Sequence, residues 1–439
     1  VISPQSLRAE YAAKKVTADF AVSQIPSGSN IAMGMAVAEP PALLAALAAR
    51  VEGGSLGAFN LWYFHSMSHA AETVLRYELL DRVRPHCMFL SNVERELIRR
   101  AGTAGGWPIE FVPTGFRDSS RILTHNVPID TFVTTVSPMD RHGWFTFGTS
   151  NDYGTSVARS AKRLVVEVNA NMPRVFGDSL LHISEVDALV ENDVQLAQYP
   201  QAPINTEDEV IAATIAAMIE DGSCLQMGIG SLPNAVCSLL VDRKDLGIHT
   251  ELMTPALAQL IDCGAVTNRC KATYPGRSVF TFAMGDRAFY EFLDNNPSMH
   301  SAPVHVVNDP RHISKNDKVI SVNATLQVDL SGACNSEHMM GRQYSGSGGQ
   351  LDFIRGASTS HGGKSIIACR STAQDGAVSR IVARLEGPVT TPRNDTHIVV
   401  TEYGAVDLRG KTLGERAAAL ISLAHPKFRD GLMEDARLT

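Results

Sequence analysis

Three stretches of this chain combine residue types and spacings that could do chemistry. Gly228-Ile229-Gly230-Ser231-Leu232-Pro233 follows the short apolar run Cys224–Met227 and leads into a helical pattern. Such a strand-to-helix turn aims backbone N–H groups outward, where a helix N-terminus favours an anion such as phosphate. It is not the dinucleotide fingerprint, because Pro233 stands where the third glycine belongs; a plain strand-to-helix turn explains the stretch as well. Gly346-Ser347-Gly348-Gly349 puts three glycines in four residues. Glycines let a ligand approach the backbone and can aim amides at a developing oxyanion. The flanking Tyr344, Leu351 and Phe353 suit a packed loop better than a floppy linker. Glu251 ends a strand-like stretch just before the helical pattern Met253–Ile261. That places a carboxylate where it serves either as a reacting group or as a charge at a helix N-terminus.

The elements that must position these residues alternate along the chain. Val- and Ile-rich segments (Ile129–Val136, Arg163–Val168, Val304–Val307, Val319–Val322 and His397–Thr401) read as buried strands. Helical patterns run over Ala42–Ala49, Glu207–Glu220 and Pro233–Val241. This alternation predicts an α/β fold with largely parallel sheets. The chain has 439 residues, enough for two domains, and the polar, proline-punctuated Gln198–Pro203 is the best linker. The expected domains are 1–198 and 204–439.

The two halves rhyme. Gly28-Ser29-Asn30-Ile31-Ala32-Met33-Gly34, then Pro40, is echoed by Gly222-Ser223-Cys224-Leu225-Gln226-Met227-Gly228, then Pro233. Leu56-Gly57 matches Leu246-Gly247, and Asp140-Arg141-His142-Gly143 matches Asp329-Leu330-Ser331-Gly332. Matches in the same order with drifting offsets predict a duplicated domain, with a period far too long for a solenoid. Aligned on the glycine pairs, Ile248–Glu251 falls opposite Ala58–Leu61, so a carboxylate stands where the first copy keeps leucine. The glycine-dense stretch after Ser345 has no counterpart in the first half, which assigns the chemistry mainly to the second.

Composition narrows the function. Formal net charge is −7, which argues against a broad footprint for nucleic acid or anionic membrane. Met33–Val51, the most apolar stretch, is interrupted by Glu39, Pro40 and Pro41, so no spanning helix is expected. Seven scattered cysteines form no C-x-x-C pair; free thiols, and a start at Val1-Ile2-Ser3-Pro4 without signal-like features, lead to a cytoplasmic expectation. Gly53–Gly57 satisfies G-x-S-x-G but follows a helix, not the strand a nucleophile elbow requires. Gly362-Gly363-Lys364-Ser365 ends like a P-loop but has Ser358 at the first glycine's place. His65 and His69 have helix-face spacing without H-E-x-x-H, so no metal site is expected.

Taken together, these residues resemble the acetyl-CoA hydrolase/transferase family, the class I coenzyme A transferases, nearest to the 4-hydroxybutyrate CoA-transferase branch. The resemblance covers essentially the whole chain. It is carried by Val166-Glu167-Val168-Asn169 with Met172-Pro173-Arg174, by Gly228–Gly230 with Pro233, and by Gly247-Ile248-His249-Thr250-Glu251. Gln343–Gly346 through Asp352-Phe353, Gly363–Ser365, Val389–Asp395, Thr401–Gly404 and Asp407–Gly410 complete it.

The resemblance implies two tandem, similar open α/β domains with the active site at their interface. It implies Glu251 as nucleophile, with Gly228, Ile229, Gly230, Ser231, Leu232, Gly348 and Gly349 contacting coenzyme A and the Gly349 amide suited to the oxyanion. Asn308 and Glu402 match polar residues that line the family's site, and Lys364 is added here, for its charge and position, as a phosphate or pantetheine contact. The implied reaction moves coenzyme A between an acyl-CoA and a short-chain carboxylate: 4-hydroxybutyrate, butyrate, acetate, or a dicarboxylate such as itaconate or succinate. It runs by ping-pong through a glutamyl-CoA thioester, with coenzyme A as substrate and no tightly bound cofactor. Hydrolysis of the acyl-CoA at the same site is the alternative. Relatives imply a homodimer or larger assembly. After Glu251 many relatives continue with an acidic-glycine turn, whereas this chain reads Leu252-Met253-Thr254-Pro255, so its acyl pocket is expected to differ; Met33–Ala38 and His65 are candidates to shape it.

Overall fold

The computed structural model describes residues 4–102, 107–200 and 203–437. Part of the expected linker, Gln201 and Ala202, and the N-terminal Val1–Ser3 lie outside the described residues. The chain divides into two compact units, Val1–Tyr199 with Phe280–Val306, and Pro200–Val279 with Val307–Thr439.

The first unit is built on a seven-stranded sheet: β1 (Asn30–Met33), β2 (Phe59–Tyr63), β3 (Val83–Cys87), β4 (Glu110–Phe111), β5 (Thr131–Val136), β6 (Arg163–Val168) and β7 (Ala188–Glu191), in the order β4-β3-β2-β1-β5-β6-β7. Every pair is parallel. All six residues of Thr-Phe-Val-Thr-Thr-Val are buried, as a central parallel strand requires. Helix α1 (Pro41–Glu52) starts on a proline whose missing N–H costs nothing there. It buries Leu43, Leu44, Leu47 and Val51 completely. Its first free amides find Glu167 of β6, whose carboxylate accepts from Ala42 N at 2.9 Å and Leu43 N at 3.1 Å.

The second unit has a six-stranded sheet: β8 (Cys224–Met227), β9 (Gly247–Ile248), β10 (Val319–Ala324), β11 (Lys364–Ala368), β12 (Ile398–Thr401) and β13 (Gly404–Asp407), in the order β9-β8-β10-β11-β12-β13. All neighbours are parallel except the last pair. The path β9-β8-β10-β11-β12 repeats β2-β1-β5-β6-β7, so the duplication read from the sequence is a repeated topology. The matched turns repeat to the atom. Asp140 Oδ1 accepts from His142 N at 2.8 Å and Trp144 N at 2.9 Å. Asp329 Oδ1 accepts from Ser331 N at 2.9 Å and Ala333 N at 3.0 Å. Both turns close on a glycine of positive φ, Gly143 at 87° and Gly332 at 96°.

Three expectations change. Val304–Val307 reads as a strand but forms a short helical turn. Pro303 fixes a helix-compatible φ just before it and accepts from Val306 N at 2.9 Å. The second domain was expected to run unbroken, but Phe280–Val306 clusters with the first unit. There Thr281 O accepts from Asn151 N at 3.0 Å, Ala283 N donates to Thr149 O at 2.7 Å, and Ser301 N donates to Phe176 O at 2.8 Å. The alignment of Glu251 with Leu61 also shifts. Asn30 pairs with Asn60 and its counterpart Cys224 pairs with Gly247. Glu251 stands four residues past Gly247, so the counterpart four residues past Asn60 is the buried Phe64. The contrast of carboxylate against apolar side chain survives the shift.

Candidate active site

In the second unit the five parallel strands β8 to β12 deliver their following loops to one edge. Chain order reverses between β8 and β10, and open α/β sheets bind ligands at the carboxyl ends of their strands beside such a reversal. Gly228 leaves β8 there, its N–H donating to Val322 O of β10 at 2.9 Å. Beneath it Gln226, Ser321 and Asn323 satisfy one another; Gln226 Oε1 accepts from Ser321 Oγ at 2.6 Å and Asn323 Nδ2 at 3.1 Å. Gly230 takes φ 126°, open only to glycine, and caps α2 (Ser231–Ser238). Ile229 is exposed, Leu232 is buried, and Ser231 Oγ donates to Asp208 Oδ2 at 2.6 Å. Asp208 also takes both Arg370 Nε and Nη2 at 3.1 Å.

Glu251 lies three residues beyond β9 at the same edge. Its strand is held on both sides, His249 N donating to Leu225 O at 3.0 Å and Thr250 N to Val279 O at 2.9 Å. The carboxylate is half-buried and meets two groups. Asn308 Nδ2 donates to Oε2 at 2.6 Å, and the Gly349 amide also donates to the carboxylate. Burial pushes the Glu251 carboxyl up to about 7; the Asn308 bond opposes this, Asp352 adds to it, and the Gly349 amide opposes it.

Glycine at position 349 is a steric necessity. A Cβ there would lie 1.9 Å from Glu251 Oε2 and 2.1 Å from Asn308 Nδ2. Asn308 precedes α3 (Pro310–Ile313), and Gly349 precedes α4 (Gln350–Thr359). These helices touch so closely that a Cβ on Gly356 would lie 2.5 Å from Ile313 Cγ2, which fixes Asn308 relative to Gly349. The glycine stretch is a packed loop: Ser345, Gly346 and Gly349 are buried, and Gly348 takes φ 57°.

The edge therefore brings together Gly228–Leu232, Glu251, Asn308, Gly348 and Gly349. Glu402, just past β12, joins them only indirectly, accepting from Ser371 N at 2.8 Å and bracing the turn next to Arg370. Lys364 is not brought together with them. It opens β11, so about 13 Å of strand separates it from the carboxyl edge. There its Nζ donates to Met218 O at 2.8 Å and meets Glu220 at 3.3 Å. Arg370, which the sequence reading missed, is a cation at the site's edge. The rule that ligands gather at strand carboxyl ends would have found it, since it follows β11 by two residues. Thr254 caps the helix Pro255–Asp262, with Pro255 in its first turn as expected. His65 precedes the helix Ser68–Glu72, so it shares no helix face with His69. Among the described residues no cluster of His, Cys, Asp and Glu could hold a metal ion, and no helix is long and apolar enough to cross a membrane.

The carboxyl edge of this α/β sheet thus gathers a helix N-terminus, a glycine turn at the reversal and a partly desolvated carboxylate. Residues 2–198 match the acetyl-CoA hydrolase/transferase N-terminal domain, and residues 285–436 match the C-terminal domain of the same family. The succinyl-CoA:cyclohexane-1-carboxylate CoA transferase of Geobacter metallireducens is 42% identical over 99% of this chain and 97% of that one. The 4-hydroxybutyrate coenzyme A transferase of Clostridium kluyveri is 40% identical over 97% of each. RipA from Yersinia pestis superposes with a TM-score of 0.96 at 55% identity, covering 98% of this chain and 99% of that structure. The chain belongs to the acetyl-CoA hydrolase/transferase family, within which it is a CoA-transferase.

Proposed function

We propose that this enzyme transfers coenzyme A from an acyl-CoA to a short-chain carboxylate through a covalent glutamyl-CoA thioester on Glu251. The observation that carries the reading is the pair of donors, Asn308 Nδ2 and the Gly349 amide, on the carboxylate of Glu251 itself.

A Glu251 oxygen attacks the thioester carbonyl; the C–S bond breaks, leaving an acyl-glutamyl anhydride and CoA thiolate. The thiolate attacks the glutamyl carbonyl; the anhydride C–O bond breaks, releasing the first carboxylate and leaving glutamyl-CoA. A second carboxylate attacks that thioester and expels the thiolate, which then takes the new acyl group and frees Glu251. No proton is gained or lost overall.

Because the two donors already face the Glu251 oxygen, they stabilise the oxyanion formed when the glutamyl carbonyl is attacked. Donors of this kind are worth about 2.7–4 kcal/mol each where they have been removed. Carboxylate is a weak nucleophile, so binding of the nucleotide and pantetheine must help hold it in register. Gly228–Leu232 and Gly348 supply backbone for that binding, and Arg370 supplies a cation for a phosphate. The acyl groups and acceptors fall among 4-hydroxybutyrate, butyrate, acetate, succinate and itaconate.

Acyl-CoA hydrolysis at the same carboxylate is the second reading. Acetyl-CoA hydrolase of Yarrowia lipolytica is 28% identical over 57% of this chain and 49% of that protein. Steady-state rates with acyl-CoA and carboxylate varied together separate the two readings. Transfer gives parallel double-reciprocal lines and a rate that requires the carboxylate; CoA release independent of carboxylate would overturn it.

A further inference from the structure

The Gly-Ile-His-Thr-Glu stretch contains one side chain that the chemistry above does not use. His249 is buried, with 1% of its surface exposed. Its Nε2 lies 2.8 Å from Val307 O, the carbonyl immediately before Asn308. A carbonyl only accepts, so Nε2 carries the proton. Its Nδ1 is buried without a hydrogen-bond partner, so a second proton there would have nothing to meet. The ring also meets Phe353 edge-on, centroids 6.3 Å apart, and Phe353 N donates to Gly349 O at 3.2 Å. The charged and titratable groups that act on this ring are Lys271 and His312. Lys271 Nζ donates to Ile248 O at 2.7 Å and Arg277 O at 2.6 Å, so a cation already sits beneath the strand. Burial and that cation both push the imidazole towards its neutral form.

One ring thus touches three parts: the strand that carries Glu251, the carbonyl next to Asn308, and the helix that begins after Gly349. We propose that His249 is a positioning residue for coenzyme A transfer, a neutral strut whose Nε2–H bond to Val307 O sets the approach of Asn308 and Gly349 to the Glu251 carboxylate. It makes no contact with substrate in this role. The inference rests on Glu251 being the nucleophile.

The test compares three substitutions in the full-length enzyme. His249→Phe fills the space without the donor. His249→Gln places an amide nitrogen near the Nε2 position, and His249→Asn places one near Nδ1, too short to reach Val307. His249→Phe is expected to lower kcat about 10- to 100-fold, the scale of a misplacement of about 1 Å, while KM for acyl-CoA changes less than about twofold. The acid limb of kcat/KM should move to higher pH, because a loosened Asn308 no longer favours the carboxylate form. His249→Gln should recover most of the rate and the limb, and His249→Asn should not. Equal behaviour of the Gln and Asn variants, with an unmoved limb, would overturn the proposal, as would wild-type kcat in His249→Phe. If the Phe variant fails to fold, the Gln–Asn pair still decides. Glu251→Ala measured alongside keeps the two readings apart. Full activity there would sink the nucleophile itself, whereas a dead Glu251→Ala beside an unaffected His249 series would sink only the strut.

Discussion

The two units of this chain share a strand order and a pair of aspartate turns, yet their desolvated glutamates differ in how much surface they keep. In the first unit Glu39 and Glu167 are fully buried, with pKa values pushed up by burial to about 8 and about 7. Each is consumed by fixed donors: Glu39 takes Met67 N at 2.6 Å and Ala70 N at 3.0 Å, and Glu167 takes the first amides of α1 and Asn192 Nδ2 at 2.6 Å. In the second unit Glu251 has a pKa raised to about 7 as well and also takes a side-chain amide, but it remains partly open. A raised carboxyl pKa therefore does not mark a nucleophile. What distinguishes Glu251 is that it keeps exposed surface, whereas Glu39 and Glu167 have none.

Substitution of Glu251 and of Glu167 should separate the two units most sharply. Glu251→Ala should lower kcat for transfer by about 10³-fold or more, since the covalent route is lost. Glu167→Gln should keep kcat within about twofold and lose about 1–3 kcal/mol of stability, as it weakens a buried helix cap. Thermal melts beside steady-state rates check both, and equal loss of activity in the two variants would erase the distinction. A smaller effect is expected from Gly349→Ala, whose Cβ would lie 1.9 Å from Glu251 Oε2. Displacing that donor should cost about 10²–10³-fold in kcat; an alanine variant with unchanged kcat would remove Gly349 from the site. The smallest effect sharpens the electrostatics. With Glu251 at about 7, kcat/KM should rise with pH through that region as the carboxylate forms. Asn308→Leu removes a bond that favours the carboxylate, so the limb should move upward by about a unit while kcat falls about tenfold. A limb that moved downward, or not at all, would contradict the bond's assigned role.

Much of this was legible in the sequence because strands, turns and repeats are local. The run Thr131–Val136, the turn after Met227 and the Asp-x-x-Gly pair each declare themselves within a few residues. Glu251 and Gly349 were named through the family resemblance, and residue chemistry alone left each with a bland alternative. What stayed hidden depends on strand direction and order. The charge of Lys364 beside a glycine pair suggests a phosphate contact, but it opens β11 and points its amine at Met218 O, whereas Arg370, two residues past the same strand, reaches the proper edge. Val304–Val307 misled because β-branched composition speaks for a strand while Pro303, one residue earlier, sets a helical start. The association of Phe280–Val306 with the first unit rests on backbone bonds to Thr149, Asn151 and Phe176, partners more than a hundred residues away that no local pattern encodes.

The proposed mechanism requires that Glu251 become covalently linked to coenzyme A. Intact-protein mass spectrometry after incubation with acetyl-CoA or butyryl-CoA and no acceptor, followed by peptide mapping, tests it most directly. A mass increase of one coenzyme A located on Glu251, absent from Glu251→Ala and discharged on adding a carboxylate, is the predicted result. Turnover with these thioesters that leaves Glu251 unmodified, or an adduct on another residue, would contradict it.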